Sequence, residues 1–211
     1  VAALCHQNGG CATCSGRGRA ARRTHVNQAH LLAGQFLLAM PGMPDPRFER
    51  SVVALCAHDP AGAFGLCLHE ELEGITLPEL MRGLDVDPLD TPDIPVLAGG
   101  PVEPERGFVL HTPDYAGQDT RVVAGRWALT GTRDVLEAIA AGTGPSRFVV
   151  ALGYAGWGEG QLEEELLAPG WFACPGSTGL IFDTEVGERW ARGFREAGVD
   201  VAMLSGMTGR A

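Results

Sequence analysis

Residues 148–167 constrain the fold more than any other stretch of this chain. Phe148-Val-Val-Ala-Leu152 is an apolar run of strand type. Gly153, Gly156, Gly158 and Gly160 then interleave with Tyr154, Ala155 and Trp157, and an acidic helix starts near Glu159, with Gln161–Leu167 as its body. Glycines let a backbone take positive φ or pass close to another segment. Leu162 and Leu166 share one helix face, and acids near a helix start suit the positive end of its dipole. The spacing predicts strand, glycine turn and helix in succession, with the turn setting the helix against a sheet. Consecutive helical residues point apart, so Glu163, Glu164 and Glu165 read as a solvated acidic face and not as a general acid/base pair.

Further strands are predicted at Gln35–Met40, Val52–His58, Phe64–His69, Pro95–Ala98, Gly107–His111, Arg121–Val123 and Trp127–Thr130. Helices are predicted at Leu77–Leu84, entered at Thr76 with Pro78 in the first turn, at Arg133–Ala141, and at Val186–Ala197. Thr132 is the expected N-cap of the second, and Gly142 and Gly198 the expected stops. Strands and helices alternate irregularly, which argues for α+β over a doubly wound parallel sheet. The longest apolar runs, Phe36–Met40 and Ser51–Ala57, are far too short to span a bilayer.

Charge excludes several function classes. Residues 1–30 hold Arg17, Arg19, Arg22 and Arg23 and no acid, while the whole chain is at −10. The remainder therefore sets 12 arginines against 26 acids, a charge of −14. Such a body is a poor match to a phosphate backbone, which is met by a basic face. The chain has no lysine, which removes a P-loop and any Schiff-base chemistry. No serine stands in Gly-x-Ser-x-Gly, and the glycines of 153–160 do not fall as Gly-x-Gly-x-x-Gly. No catalytic constellation and no cofactor-binding motif is found.

The first thirty residues read as a separate object. They mix Cys5, Cys11, Cys14, His6, His25 and His30 with Gly, Ala and Arg and show no hydrophobic periodicity. The expectation is a disordered leader or an over-extended start, and the single Cys11-x-x-Cys14 pair is a weak metal or redox signal.

Two clusters in the body are candidates for chemistry. Cys56-x-His58 and Cys67-x-His69 each place a thiol and an imidazole on one face of a strand, since side chains alternate with period two. If Cys56 faces Cys67, the histidines lie at opposite ends. If Cys56 faces His69, then His58 faces Cys67 and the four make a square suited to zinc. A redox thiol pair and two plain core cysteines are the alternatives. His69-Glu70 brushes against the zincin pattern, but Glu73 stands where the second His is required. Separately, Gly99, Gly100, Arg106, His111, Tyr154, Trp157 and Gln161 are the groups expected to line a ligand cleft. Each also has a purely structural reading: Gly99-Gly100-Pro101 as a tight turn, His111 as a strand end, Tyr154 and Trp157 as packing.

Several blocks in order carry a resemblance over residues 31–211: Leu37-Leu-Ala-Met-Pro-Gly-Met-Pro-Asp-Pro-Arg-Phe48, Ser51-Val-Val-Ala-Leu-Cys-Ala-His58, Gly62-Ala-Phe-Gly65, Gly99-Gly-Pro-Val102, Arg106-Gly-Phe-Val-Leu-His111, residues 151–166 and Ser205-Gly-Met-Thr-Gly209. The chain resembles the YqgE/AlgH family of bacterial proteins. That resemblance implies an α+β fold whose bifurcated, mixed and largely antiparallel sheet curls into a pseudo-barrel with flanking helices. It implies a cytoplasmic protein without an established activity, in a family some of whose members are labelled transcriptional regulators. The chain departs from the family at His69-Glu-Glu-Leu-Glu73, where relatives usually show Asn and, two residues on, Pro. Three readings follow: a non-catalytic regulatory protein acting through a protein or small-molecule partner, a DNA-binding regulator disfavoured by the acidic body, and a cysteine-dependent redox or metal protein.

Overall fold

The structure, a computed structural model, describes residues 32–205. The leader with its cysteines and histidines, and all but the start of the 205–209 block, lie outside them.

Ten strands form one sheet in the order β10-β1-β2-β3-β9-β6-β8-β7, with β5 joined to β9 and β4 joined to β5. They are β1 (Gln35–Ala39), β2 (Val52–Asp59), β3 (Gly62–Cys67), β4 (Glu71–Thr76), β5 (Pro95–Ala98), β6 (Val102–His111), β7 (Arg121–Val123), β8 (Trp127–Thr130), β9 (Phe148–Trp157) and β10 (Trp171–Pro175). All pairings are antiparallel except β5 with β9. The helices are α1 (Leu77–Gly83), α2 (Asp134–Ala140), α3 (Gln161–Leu167), α4 (Thr178–Phe182), α5 (Arg189–Glu196) and α6 (Val201–Ser205). The fold is the expected α+β sheet curled between flanking helices.

The sheet divides along β9. Val150–Leu152 pair with β5, whereas Ala155–Trp157 pair with β3 on the same edge. Between them Gly153 takes φ +75, and a Cβ there would lie 2.3 Å from the Gly100 carbonyl oxygen. Glycine thus bends the strand and does not end it. The predicted glycine turn from 153 to 160 is corrected accordingly: strand continues to Trp157, and only 158–160 turn into α3.

Alternation along β1 and β2 explains their unbroken apolar runs. Phe36, Leu38, Val52 and Ala54 face a core with Trp127 and Phe194, while Leu37, Ala39, Val53 and Leu55 face a second core with Trp157, Leu162 and Trp171. Both faces are covered, so neither strand has a polar side. A third core, around Val96, Val109 and Val150, lies under α1 and α2 through Leu77, Met81, Val135, Leu136 and Ile139.

Helix ends follow local chemistry. Thr76 opens α1, and its backbone N–H donates to the Glu79 carboxylate at 2.9 Å. Gly142 and Gly198, at φ +69 and +74, follow α2 and α5 as expected. Thr132 does not cap α2: Arg133 occupies that position and the Thr132 hydroxyl donates to the Asp134 carboxylate. The predicted helix from Val186 resolves into a 3-10 turn at Val186–Glu188 followed by α5.

Candidate functional site

The seven residues proposed for a ligand cleft do not converge on one cavity. Gly99 and Gly100 serve the split in the sheet: the Gly99 N–H donates to Leu152, its carbonyl accepts from Cys67, and a Cβ on Gly100 would fall 2.2 Å from the Tyr154 carbonyl carbon. Arg106 is exposed, pairs with Glu103 at 3.0 Å and lies 5.2 Å from the Phe108 ring centroid. Tyr154 packs on Phe64 and Phe108.

His111 is a satisfied core histidine. It is fully buried, with Nδ1 2.8 Å from the Thr112 carbonyl oxygen and Nε2 2.9 Å from the Thr130 hydroxyl. A carbonyl only accepts, so Nδ1 carries the proton and Nε2 of the neutral ring accepts from Thr130. Thr130 in turn accepts from Thr120 at 2.7 Å, and Thr120 from the Gly117 N–H at 2.7 Å. Burial lowers the His111 pKa, while the Thr112 carbonyl and Asp114 pull it back up. A histidine depressed by folding contributes stability that is full above its ordinary 6.5 and is lost as pH falls below that value toward the folded one. Urea unfolding of the wild type should therefore weaken more from about pH 7.5 to about pH 5 than that of His111→Gln. Parallel losses in the two proteins would remove His111 as the source.

The β2–β3 register separates the Cys/His cluster. Val53 faces Cys67 and His58 faces Ala63, and the ladder shifts at Cys56, which bulges out of it. Neither anticipated pairing forms: the turn that sets Asp59 opposite Gly62 carries Cys67 back to Val53, well past Cys56, and the bulge shifts the ladder by only one residue. Cys56 packs toward the core with Trp127, and Cys67 lies in the core on the opposite face with Trp157. Burial pushes both thiols up to about 12, the reverse of what a reactive thiolate needs. His69 lies past the end of β3 on a hollow of about 800 Å³ shared with Arg47, Arg50 and Glu70. His58, 6% exposed, instead holds the Glu163 carboxylate through Nε2 at 2.8 Å. Among the described residues no group of three or more His, Cys, Asp or Glu is placed to hold a metal ion.

The arrangement that does converge centres on Glu165. One of its oxygens accepts from the indole N–H of Trp157 at 2.9 Å and of Trp171 at 2.8 Å; the other accepts from the Gln161 amide at 2.9 Å. Gln161 is fixed by the Gly158 N–H, which donates to its side-chain oxygen at 3.0 Å. The solvated acidic face predicted for α3 is thus corrected at Glu165, whereas Glu163 is exposed even as it meets His58. Glu165 sits half-buried at the edge of the Leu162–Leu166 stripe, where two buried indoles require an acceptor. Glu164 remains exposed.

Glu165 opens onto a cleft of about 630 Å³ walled by Met40, Pro41, Met43, Pro44, Phe48, Pro169, Trp171 and Leu204. One wall is the β1–β2 connection, shaped by Asp45-Pro46-Arg47. Asp45 caps a 3-10 turn by accepting from the Arg47 N–H at 3.0 Å, proline starts the turn, and the Arg47 guanidinium closes on the same carboxylate at 2.6 Å. The opposite wall is β10, whose Trp171 pairs with Ala39 and meets the Phe48 ring edge-on at 5.5 Å. Of these residues only Trp157 and Gln161 were singled out from sequence. The signal available for Glu165 was the pair of tryptophans flanking three acids.

This wall lies inside a wider match. A family model described as AlgH-like matches residues 36–202. The chain belongs to the AlgH-like family. A UPF0301 protein of Rhizorhabdus wittichii is 54% identical over 85% of this chain and 97% of its own length, and one of Novosphingobium aromaticivorans is 50% identical over 88% and 100%. The solution structure of the AlgH protein from Pseudomonas aeruginosa is 39% identical and superposes with a TM-score of 0.69 over 84% of this chain and 93% of that one. A crystal structure from Corynebacterium diphtheriae, 20% identical, shares the fold at a TM-score of 0.67 over 84% and 98%. The AlgH-like match spans the β1–β2 wall, α3 and β10 alike. No helix among the described residues is long and apolar enough to cross a membrane.

Proposed function

We propose that this AlgH-like chain is a non-catalytic regulatory protein of the cytoplasm that acts through a small molecule or partner segment held in the Met40–Leu204 cleft. The observation that carries the reading is the cleft itself. Its volume of about 630 Å³ falls in the ordinary range for ligand sites, its walls are apolar, and one half-buried carboxylate is fixed among them by two indoles. Methionines at 40 and 43 supply adaptable walls. Among the described residues nothing beside Glu165 provides a nucleophile: the buried cysteines lie elsewhere and have raised pKa values. Duplex DNA fits poorly as the partner, since residues 31–211 carry −14.

Methyl-labelled methionine NMR tests the site. Apolar fragments should move the Met40 and Met43 signals and leave Met81, sealed in the α1 core, in place. A fragment panel that moves neither cleft methionine, or moves Met81 equally, would reject the reading.

A further inference from the structure

The two acids that border this cleft differ in how their charge is met. Asp45 is neutralised by Arg47, which approaches both of its oxygens. Glu165 receives three hydrogen bonds, all from neutral donors, and forms no ion pair among the described residues. Among the described residues no histidine lines the cleft, and Arg47, at its rim, is already paired with Asp45. Three N–H donors on two oxygens leave further lone-pair capacity of the carboxylate unused. The charge is thus fixed in place but not cancelled, beside apolar walls where a complementary charge would be weakly screened. The Trp171 ring, set edge-to-face against Phe48, adds aromatic surface that favours a cation; the Phe48 ring already carries the Arg47 guanidinium, 5.9 Å from its centroid.

On the reading that the cleft binds a ligand, we infer that its occupant is a small organic cation: a primary ammonium group on an apolar body. The ammonium meets Glu165 and the body lies along Met40, Met43, Phe48 and Leu204. A carboxylate or phosphate ligand would face Glu165 without a compensating cation. A neutral apolar molecule would fill the walls and leave the charge unmet.

Three probes of one shape separate these cases: hexylammonium, 1-hexanol and hexanoate, titrated into the wild-type chain and followed by the Met40 and Met43 methyl signals. Hexylammonium should bind about tenfold or more tightly than hexanol, as expected for a charge-assisted hydrogen bond, with hexanoate weakest. That preference should shrink as salt is raised, because part of it is Coulombic. Glu165→Gln, which keeps an oxygen for the two indoles, should bring the ammonium and the alcohol to within about twofold. Equal binding of ammonium and alcohol by the wild type, or tightest binding of hexanoate, would overturn the cationic assignment while leaving the cleft as a ligand site. Failure of all three probes to move Met40 or Met43 would overturn both. The wild-type comparison needs no variant, so a poorly folded Glu165→Gln would not rescue the proposal.

Discussion

Gly100→Ala should lose about 4 kcal/mol of stability or more, in the range reserved for backbone collisions and lost core structure. The residue stands at φ +146, a conformation essentially confined to glycine. A Cβ there would sit 2.2 and 2.3 Å from the Tyr154 carbonyl carbon and oxygen and 2.4 Å from the Ala155 nitrogen. All three are backbone atoms of β9 at the point where it leaves β5 for β3, so relief would require reopening the split in the sheet. Gly74→Ala separates collision from strain: its φ is +70, yet nothing lies within 4 Å of the added carbon. It should cost only about 1 kcal/mol. Chemical denaturation of both variants at equal concentration measures the difference. A Gly100→Ala protein as stable as Gly74→Ala would mean that β9 does not pass Gly100 closely.

The outcome at Gly100 shows which layer of the structure is legible in the chain. Runs such as Phe36–Ala39 and Val52–Leu55 announce strands buried on both faces, because only that arrangement hides every side chain. Thr76 with Pro78 and Glu79 announces α1. Short elements escaped: α4 spans five residues, too few for periodicity, and β10 ends in proline after Pro169-Gly170. β4 is the acidic stretch Glu71–Thr76, which carries little apolar signal. The curl of the sheet came through family resemblance, since pairing of β5 and β3 to one strand leaves no periodic mark.

The candidate site was harder to read for a related reason. Cys56 and His58 obey period two in the sequence, but the bulge at Cys56 breaks that period where the metal reading needed it. Glu165 and Trp171 are close in sequence, whereas the opposite wall of the cleft comes from the β1–β2 connection near the other end of the body. Helical geometry places Glu165 at the margin of a buried stripe; only the folded arrangement shows that two indole donors meet there. Trp157 and Gln161 were therefore identified without the carboxylate that joins them.

Arg189→Met should be the most damaging exchange of a buried polar side chain among the described residues, at about 3 kcal/mol. The guanidinium is 5% exposed and donates through Nε to Thr184 at 3.2 Å, through one terminal nitrogen to Leu68 at 2.8 Å, and through the other to Ile181 at 2.9 Å. All three acceptors are backbone carbonyls, so one side chain ties α4 and the loop after it to the segment beyond β3. Methionine preserves most of the apolar stem but strips the donors from three carbonyls, each loss costing about 1–3 kcal/mol, partly offset by no longer burying a charge. Arg189→Lys should recover less than half, because an ammonium lacks the planar fork that reaches three directions at once. Burial lowers the Arg189 pKa to about 10, with Glu185 and Glu71 opposing the shift. That value still lies above neutrality, so the group is a cation in folded and unfolded chains alike from about pH 6 to about pH 8, and the loss should be flat across that range. Urea unfolding of the three proteins at both ends of the range measures it. A methionine variant within about 1 kcal/mol of wild type would show that these carbonyls find other partners. A loss confined to one end of the range would assign the effect to a titrating neighbour instead of the guanidinium.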